Sequence, residues 1–451
     1  MINIAKKIIK KLNMNGHSAV LAGGCVRDHL LNIPPNDYDI ATSARPNEVE
    51  KIFENTIPVG KKFGVIIVVK DGKSFEVATY RQDGKYIDGR RPQGVSFCSM
   101  EEDAKRRDFT INGMFWDPIK DKIHDFVGGR EDLEKRQIRF IGNPWNRIDE
   151  DKLRLLRAVR FAIRFKFDIS QKSKESITQN SYKIVDISGE RIHDEFYKIL
   201  ELNNASMMFE MLYDTMLLHY ILPEFAHTVN CPQWKKWHPE GPVHIHSLMV
   251  LQHLCQNEKI KDTDVLFAGL IHDIGKPHTM IYGDNGEIHN YGHDDVGKDM
   301  AGRICDRWKM SRESKRKIQY LIGQHMRIGQ ARKMKKSKLK LMMSKPYFDY
   351  LLELHKADRN ASDDDMQYFN FFVEKRQEFE NNPNDQINPK YLISGNDLKK
   401  IGIKPSPIYS KILGHIREKQ LEGNIKTFNE AINFVKKHYS CLLYTSDAAD
   451  E

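Results

Sequence analysis

Two short motifs near the start of the sequence place paired glycines close to paired carboxylates. Gly23 and Gly24 end an apolar run, and Asp37 and Asp39 flank Tyr38 a little further along. Glycines let backbone N–H groups approach phosphate oxygens, and extended backbone points alternate side chains to one face. Two carboxylates beside a phosphate cradle can hold paired magnesium ions, which activate a hydroxyl and stabilise departing pyrophosphate. Each motif alone is typical of a turn or a solvated loop, but together they predict nucleotidyl transfer with Asp37 and Asp39 as catalytic magnesium ligands.

A second set of residues has the chemistry to select a nucleobase. Tested as a helix, residues 151–164 separate an apolar face from a row of arginines, Arg154, Arg157, Arg160 and Arg164. Phe161 does not fit the apolar face, and Asp151 offers an acceptor beside the donors of Arg154. Cytosine and adenine both present an amino donor next to a ring-nitrogen acceptor, whereas guanine and uracil present the reverse order. An Asp and Arg pair therefore favours C and A, although a basic helix face that simply meets solvent is the plain alternative.

Histidine and aspartate residues in the second half of the sequence form another candidate metal site. His246, the adjacent His272 and Asp273, and Asp358 supply imidazole and carboxylate ligands, which suit a divalent transition metal that activates water for phosphoester hydrolysis. The other histidines are weaker candidates: His244 competes for the first position, His293 and His325 follow, and His253 and His289 are expected to be structural or exposed.

Local signals divide the chain into an α/β part and a mostly helical part. Asp71-Gly72 joins two apolar runs, which predicts a β-hairpin, and Glu76 in its second strand is interpreted as an exposed residue in preference to a third catalytic carboxylate. Helical periodicity dominates from about residue 147, with Pro- and Gly-rich breaks at 230–242 and 381–389. We predict a head at 1–140, a helical neck with the base-reading helix at 141–228, a metal-binding helical domain at 229–375 and a helical tail at 376–440. Residues 441–451 resemble translated sequencing-adapter sequence and are predicted to be non-native, with an ordinary acidic tail as the alternative.

Composition points to a polyanionic partner. The 451 residues exceed the usual size of one compact core, and the formal net charge of +9 favours binding to nucleic acid over a merely basic surface. The six cysteines form no CxxC pair, and no apolar run reaches the length of a membrane span. We therefore expect a cytoplasmic protein with no membrane association and no evident protein partner.

The head motifs resemble those of a known superfamily. GGxVRDxLL at 23–31, DxDxAT at 37–42, RRDFTIN at 106–112 and EDKLR at 150–154 are similar to the signature of class II tRNA nucleotidyltransferases and bacterial poly(A) polymerases. The resemblance covers the first 220 residues almost continuously and implies an α+β, polymerase-beta-like head, magnesium as cofactor, and ATP, CTP and tRNA as partners. It implies these roles for residues of this chain: triphosphate binding by Gly23, Gly24 and Arg27, nucleotide and sugar contacts by Arg106 and Arg107, base reading by Asp151 and Arg154, and nearby phosphate and base contacts by Arg157 and Arg160.

Three further segments resemble parts of bacterial CCA-adding enzymes. HPEGxVxxHSLMVL at 238–251, LIHDIGKP at 270–277 and HKAD at 355–358 are similar to the HD phosphohydrolase domain that some of these enzymes carry. That resemblance implies metal binding by His246, His272, Asp273 and Asp358 and hydrolysis of 2′-phosphate or 2′,3′-cyclic phosphate, with an inert helical scaffold as the alternative. Residues 81–95 resemble the flexible loop of enzymes competent for terminal A addition, and the tail resembles an RNA-contacting region.

Addition of CCA to tRNA is the leading hypothesis from these motifs. A bacterial-type poly(A) polymerase shares almost every head motif, and an HD phosphohydrolase with an RNA-binding head is the alternative from a different class. The fused HD segment and the EDKLR motif favour the first hypothesis, and the intact Asp37, Asp39, Arg27 and Asp151 argue against the third.

Overall fold

The computed structural model describes residues 1–84, 94–382 and 385–440 and divides into two compact units. The first unit comprises Met1–Ala226 and Arg307–Met310, and the second comprises His227–Asp306 and the chain from Ser311 onward. Residues 85–93, the centre of the segment compared with a flexible loop, lie outside the described residues. So do residues 441–451, the predicted non-native tail.

The first unit is built on a mixed β-sheet. Its strands are β1 (Ala19–Ala22), β2 (Ile40–Thr42), β3 (Thr56–Ile57), β4 (Val65–Lys70), β5 (Lys73–Thr79), β6 (Arg81–Asp83), β7 (Val95–Phe97), β8 (Phe115–Asp117), β9 (Lys122–His124), β10 (Gln137–Ile138) and β11 (Asp168–Ile169). Seven of them form one sheet in the order β3-β4-β5-β2-β1-β8-β9, in which β2 and β5 are parallel. The strands β6 and β7 pair with each other, as do β10 and β11.

The predicted hairpin is present, and the geometry of its turn explains why Asp71 and Gly72 occupy it. Strands β4 and β5 pair antiparallel from Val65 opposite Ala78 to Lys70 opposite Lys73. Asp71 and Gly72 between them have φ of 51° and 70°, the left-handed conformation that Asp-Gly turns adopt most readily. Alternate side chains of β5, including Phe75 and Val77, are buried, whereas Glu76 between them is exposed.

Helices complete the first unit. They are α1 (Ile2–Met14), α2 (Gly24–Leu30), α3 (Pro46–Ile52), α4 (Met100–Lys105), α5 (Gly129–Glu134), α6 (Pro144–Glu150), α7 (Arg154–Phe165), α8 (Gln171–Asn180), α9 (Gly189–Leu200), α10 (Ala205–Asp214), α11 (Leu217–Ile221) and α12 (Pro223–Ala226). Leu155, Leu156, Val159 and Ile163 of α7 are almost fully buried, as the apolar periodicity of that helix predicts. An α+β head followed by a mostly helical chain is thus confirmed.

The second unit is almost entirely helical. Its helices are α13 (Val243–Gln256), α14 (Thr263–Ile271), α15 (Lys276–Thr279), α16 (His293–Arg307), α17 (Arg312–Gln324), α18 (Lys336–Met343), α19 (Phe348–Asn360), α20 (Gln367–Glu380), α21 (Gly395–Lys400), α22 (Ile408–Leu421) and α23 (Phe428–His438), and the short strands β12 (Ile281–Tyr282) and β13 (Ile288–His289) pair antiparallel. Segments of 3-10 helix occupy Lys61–Phe63, Thr110–Asn112, Ser181–Asp186 and His325–Lys333 across the two units. Among the helices in the described parts of the chain, none combines the length and apolar character that crossing a membrane requires.

One close approach within the first unit fixes the start of α9. A Cβ atom at Gly189 would lie 1.9 Å from the carbonyl oxygen of Arg307 and 2.9 Å from the Cα of Trp308. Trp308 is buried and packs against Phe196 of α9 with their ring centroids 5.2 Å apart. The absence of a side chain at Gly189 therefore lets α9 begin directly against this backbone.

Replacement of Gly189 by alanine is expected to destabilise the first unit by about 3 kcal/mol, because the new methyl group would force the backbone around Arg307 to move. Gly414→Ala is the matched control: Gly414 lies within α22, and none of the residues that the structure describes comes within 4 Å of where its Cβ would be. That control should be neutral or stabilising by up to about 1 kcal/mol. Urea denaturation followed by tryptophan fluorescence measures both changes, and an unaltered unfolding midpoint for Gly189→Ala would contradict the packing described here.

Candidate active site and metal cluster

A cavity of about 620 Å³ in the first unit brings the predicted head residues together. All eleven line it: Gly23, Gly24, Arg27, Asp37, Asp39, Arg106, Arg107, Asp151, Arg154, Arg157 and Arg160. Residues that the site prediction did not include complete the lining: Arg81, Asp83, Asp108, Asn112, Phe161 and Arg164. Carboxylates at one end and a row of guanidinium groups along one wall give the cavity the charge pattern of a nucleotide–metal site.

The glycine pair lies where β1 passes into α2. Gly23 has φ of 72° and precedes the first residue of α2, so its backbone adopts a conformation that favours glycine. A Cβ at Gly23 would lie 3.0 Å from Nη1 of Arg107, which leaves little room for a side chain between the strand end and that guanidinium. The N–H of Gly23 donates to the backbone oxygen of Met114 at 3.2 Å, so the N–H groups that this turn can offer to a phosphate are those at the start of α2, from Gly24 onward, close to Arg107.

The paired carboxylates precede β2, which begins only at Ile40. Both Asp37 and Asp39 reach the same cavity from this segment. Partial desolvation of the Asp39 carboxyl, together with the negative charges of Asp37 and Glu76, raises its pKa to about 6. Because Ile40 pairs in parallel register with Val77, exposed Glu76 lies beside Asp39 and forms part of the same negative field. The interpretation of Glu76 as an exposed strand residue is correct for its solvent exposure but overlooked this proximity.

The helix of the base-reading segment begins later than the sequence predicts. Helix α7 begins at Arg154, whereas Asp151 ends α6 in extended conformation with φ of −146°. Its carboxylate accepts the backbone N–H of Leu153 at 3.1 Å, a local bond that competes with helix formation. Both Asp151 and Arg154 still line the cavity, so the two residues between them act as a turn that brings the two side chains to one wall.

Most arginines of the cavity are held by a carboxylate. Arg157 Nε donates to Asp108 Oδ2 at 3.0 Å, and Arg160 bonds to Glu195 of α9. The ion pair with Arg157 outweighs the effect of burial and lowers the pKa of Asp108 to about 2. These anchors leave further N–H groups of each guanidinium for a ligand, because arginine has five donors.

Contacts with arginine side chains explain why Phe161 lies on the arginine face of α7. The guanidinium groups of Arg27, Arg157 and Arg160 lie 4.4 to 5.3 Å from the centroid of its ring. Arg27 is itself buried, with Nη2 2.6 Å from Asp28 and Nη1 2.5 Å from the side-chain oxygen of Asn112. An aromatic face therefore separates several cations that would otherwise repel one another.

Some of the residues missed from the site carried a detectable signal. Asp108 and Asn112 belong to the same RRDFTIN motif as the two predicted arginines, and Arg164 continues the arginine periodicity of α7. Arg81 and Asp83 had no comparable signal, since they reach the cavity only through the pairing of β6 with β7.

The second unit gathers histidines and aspartates from several helices. His246 lies on α13, His272 and Asp273 follow α14, and Asp358 lies on α19. The Nε2 atom of His246 is 3.0 Å from Asp358 Oδ1 and 3.8 Å from Asp273 Oδ2. On the other side of Asp273, Oδ1 lies 3.3 Å from His293 and 3.8 Å from His325. The Asp273 carboxylate thus faces two groups of histidines, one through each oxygen.

The donor set of this cluster fits a divalent cation. Asp273 is 2% exposed and His246 is fully buried. Within the described residues, neither carboxylate oxygen of Asp273 nor Nε2 of His246 makes a hydrogen bond of good geometry. Although burial opposes its charge, the carboxylates of Asp358 and Glu240 raise the pKa of His246 to about 9. Histidine and carboxylate donors converge here within 4.8 Å of one another, as metal coordination requires.

The remaining histidines separate clearly by position. His293 and His325 belong to the cluster, with their Nε2 atoms 3.2 Å apart. His244 interacts with the backbone of Thr228 and is not a member of the metal-ligand groups found among the described residues, so the structure favours His246 for the first position. His289 stacks on Tyr291 and pairs with Glu287, outside the cluster.

Three family models match consecutive parts of the chain. Residues 19–139 match the Poly A polymerase head domain, 166–228 the probable RNA and SrmB-binding site of polymerase A, and 243–355 the HD domain. The CCA-adding enzyme of Anoxybacillus flavithermus is 43% identical over 223 residues, which are 49% of this chain and 56% of that enzyme. Residues 19–228 are thus similar to the head and RNA-binding domains of the poly(A) polymerase family, and the curated relatives that match this part are named CCA-adding enzymes. The resemblance to an HD domain is confirmed as well.

The similarity to curated relatives stops partway along their length. The CCA-adding enzyme of Lactobacillus johnsonii is 38% identical over 261 residues, 57% of this chain and 65% of that enzyme. The matched segment thus covers only about half to two thirds of these relatives. Among solved structures, the Bacillus stearothermophilus CCA-adding enzyme in complex with CTP has a TM-score of 0.71 and 25% identity, covering 97% of this chain and 98% of that one. The Thermotoga maritima CCA-adding enzyme complexed with tRNA shares the fold with a TM-score of 0.58 at 19% identity, covering 96% of this chain and 94% of that one.

Removal of the Asp108 charge is expected to weaken the arginine wall. Asp108→Asn should lower the free energy of unfolding of the first unit by about 2 kcal/mol, because Arg157 loses its charged partner. The loss should shrink as pH falls toward 2, since a carboxyl with a lowered pKa stabilises the fold above its unfolded value of about 4 and loses this effect on protonation. Asp214→Asn, which removes an exposed partner of Lys174, serves as the control and should change stability by less than about 0.5 kcal/mol. Urea denaturation between pH 3 and 7 provides the measurement.

Metal binding by the second unit is testable without any substrate. After chelation and dialysis, addition of a divalent transition metal such as Mn²⁺ or Ni²⁺ should raise the unfolding temperature. The free energy of unfolding should increase by about 2.7 kcal/mol when the free metal is at one hundred times its dissociation constant. Asp273→Ala should abolish the metal-dependent increase, whereas His289→Ala, outside the cluster, should retain it. A shift of equal size in both variants would rule out the cluster as the binding site.

Proposed function

We propose that this protein adds CCA to the 3′ end of tRNA from CTP and ATP without a nucleic-acid template. The observation that carries the proposal is the single cavity that joins a glycine turn, paired carboxylates and the Asp151 and Arg154 pair. Names of the relatives support it, since they are CCA-adding enzymes and solved structures of such enzymes contain CTP, ATP or tRNA.

Each group around the cavity has a role in that reaction. The tRNA 3′-hydroxyl attacks the α-phosphorus of the nucleotide, a new phosphodiester bond forms, and the bond to pyrophosphate breaks. The turn at Gly23 and Gly24 lets the triphosphate approach the N–H groups at the start of α2, and Arg27 and Arg107 neutralise its charge. The row Arg157, Arg160 and Arg164 continues this positive surface along α7. These groups orient the nucleotide and stabilise the charge that develops on the leaving pyrophosphate.

Magnesium is the cofactor that fits the carboxylate end. Asp37, Asp39 and adjacent Glu76 offer hard oxygen donors, and the raised pKa of Asp39 reflects its burial and, in addition, the repulsion from Asp37 and Glu76 that a cation would relieve. Magnesium ions bound there supply Lewis acidity for the hydroxyl and the departing pyrophosphate. Asp39, with a pKa of about 6, is mostly ionised at neutral pH and able to bind them.

Nucleotide choice is assigned to Asp151 and Arg154. The carboxylate accepts from the amino group of cytosine or adenine, and the guanidinium donates to the neighbouring ring nitrogen. Guanine or uracil would place a carbonyl against Asp151 and an N–H against Arg154, and each mismatch leaves polar groups unpaired in a partly desolvated site.

Extension of purified tRNA that lacks its last nucleotides tests the proposal against its closest rival. With CTP and ATP together, we expect two cytidines and then a single adenosine, read as discrete products on a sequencing gel. A long adenosine tract formed with ATP alone would instead establish a poly(A) polymerase. Incorporation of neither nucleotide, with phosphatase activity retained, would favour an HD hydrolase with an RNA-binding head.

Asp39→Ala should reduce nucleotide incorporation by at least about a thousandfold, because the cation site at the reacting phosphate is lost. Asp358→Ala, which alters the HD cluster, is the matched control and should leave incorporation close to that of the unsubstituted protein. Survival of incorporation in Asp39→Ala would contradict the assignment of the catalytic carboxylates.

We also propose hydrolysis of terminal 2′-phosphate or 2′,3′-cyclic phosphate on RNA by the HD unit. Of the four proposed ligands, His246, His272 and Asp358 have donor atoms within 4.8 Å of one another, and Asp273 forms a second such group with His272 and His325. Lys276 lies 2.7 Å from Asp273. A divalent transition metal bound by these residues supplies an activated water for phosphoester cleavage. The proposed division of labour assigns nucleotidyl transfer to 1–140, base selection to 141–228, hydrolysis to 229–375 and RNA contacts to 376–440, in a cytoplasmic protein.

A further inference from the structure

The two base-reading side chains do not bond to each other, because each has its own partner. Both carboxylate oxygens of Asp151 lie 3.0 Å from Nη2 of Arg191. Nη1 of Arg154 lies 2.6 Å from Glu150 Oε2 and also donates to the backbone oxygen of Arg147 at 2.9 Å. The acceptor and the donor are therefore kept apart, with a base-sized cavity beside them.

Arg191 is fixed by the structure around it. It lies in the first turn of α9, whose start at Gly189 leaves no room for a Cβ against the backbone of Arg307. Further along, Glu195 of the same helix bonds to Arg160 of α7. The helix that carries Arg191 is thus anchored at its start and tied to the helix that carries Arg154.

The contact restricts Asp151 without blocking it. One oxygen already accepts the backbone N–H of Leu153, and Arg191 reaches both oxygens through one nitrogen. A carboxylate has about four lone-pair sites, so acceptor capacity remains for the amino group of a base. The side chains of Arg191 and Asp151 are only 18% and 21% exposed, so water competes weakly for this ion pair.

We propose that Arg191 is a positioning residue for nucleotide selection, which holds the Asp151 carboxylate oriented as the acceptor for cytosine and adenine. The inference rests on the proposed function and extends it to a residue outside the base-reading motif. Among the described residues, Arg191 is not one of those that line the cavity, so its effect on a bound base is transmitted through Asp151. Without it, the carboxylate rotates more freely and discriminates less well against bases that present a carbonyl.

Direct binding of nucleotides to the full chain tests this role. Dissociation constants for CTP and UTP with Mg²⁺ are measured by calorimetry for the unsubstituted protein and for Arg191→Met, which keeps an unbranched side chain but removes the charge. We expect the preference for CTP over UTP to fall by about tenfold or more, because a charge-assisted hydrogen bond orienting the acceptor is lost. Arg191→Lys should restore part of the preference, since it returns the charge without the planar fork.

Two comparisons separate positioning from a general effect on the fold. Lys174→Met removes another cation of the first unit, from an exposed pair with Asp214, and should leave the preference unchanged. In an Asp151→Ala background, Arg191→Met should have no additional effect on selectivity, because its only target is gone. The unfolding temperatures of all variants are measured in parallel.

An unchanged preference for CTP over UTP in Arg191→Met overturns the inference. It is also overturned if Arg191→Met reduces this preference equally in the unsubstituted protein and in the Asp151→Ala background. Absence of any CTP preference in the unsubstituted protein overturns it too. The binding measurement needs no tRNA, so it is distinct from the extension assay. Selective CTP binding that depends on Arg191, without extension of tRNA, would sustain this inference and reject the proposed activity.

Discussion

The first unit depends on how the arginine row of α7 is neutralised. Guanidinium groups at Arg154, Arg157, Arg160 and Arg164 follow one another along a single helix face, and Arg27 approaches them from α2. Like charges this close would destabilise the fold unless acidic or aromatic groups were placed among them. The protein meets this constraint with one carboxylate for each arginine, Glu150, Asp108, Glu195 and Asp28, each from a different part of the chain or from the preceding helix.

That arrangement links stability to ligand binding. Each carboxylate satisfies only part of an arginine's five donors, so the wall is stable without a ligand and still presents N–H groups to a triphosphate. Phe161 adds a flat apolar surface over which three of the cations lie, and it fills space that water would otherwise occupy. The same side chains that hold α7 against its neighbours therefore pre-organise the nucleotide site, which lowers the entropic cost of orienting a flexible substrate.

The sequence predicted the residues of the cavity better than their contacts. Gly23, Asp37, Asp39 and Asp151 could be found because their chemistry is concentrated in short motifs. By contrast, Glu195 and Arg191 lie on α9 far along the chain, and only tertiary packing brings them into contact with the cavity residues Arg160 and Asp151. The predicted start of α7 was three residues too early. Periodicity shows which face of a helix is apolar but not where the helix begins, and the hydrogen bond from the Leu153 N–H to the Asp151 carboxylate keeps this segment out of the helix. The hairpin at Asp71-Gly72 was predictable because turn geometry is a local property.

The metal cluster of the second unit follows the opposite electrostatic logic from the arginine wall. The arginine wall has a carboxylate partner for nearly every cation and keeps spare donors. In the metal cluster, the buried carboxylate of Asp273 has Lys276 Nζ at 2.7 Å, but neither of its oxygens makes a hydrogen bond of good geometry within the part of the chain that the structure describes. Burial alone would favour neutral groups, yet the pKa of Asp273 is held well below its usual value by His272 and Lys276. A buried carboxylate that stays ionised among histidines retains electrostatic attraction for a cation, and its two oxygens face separate histidine groups. The charge that Asp273 keeps is thus the physical reason that this part of the fold is suited to metal binding.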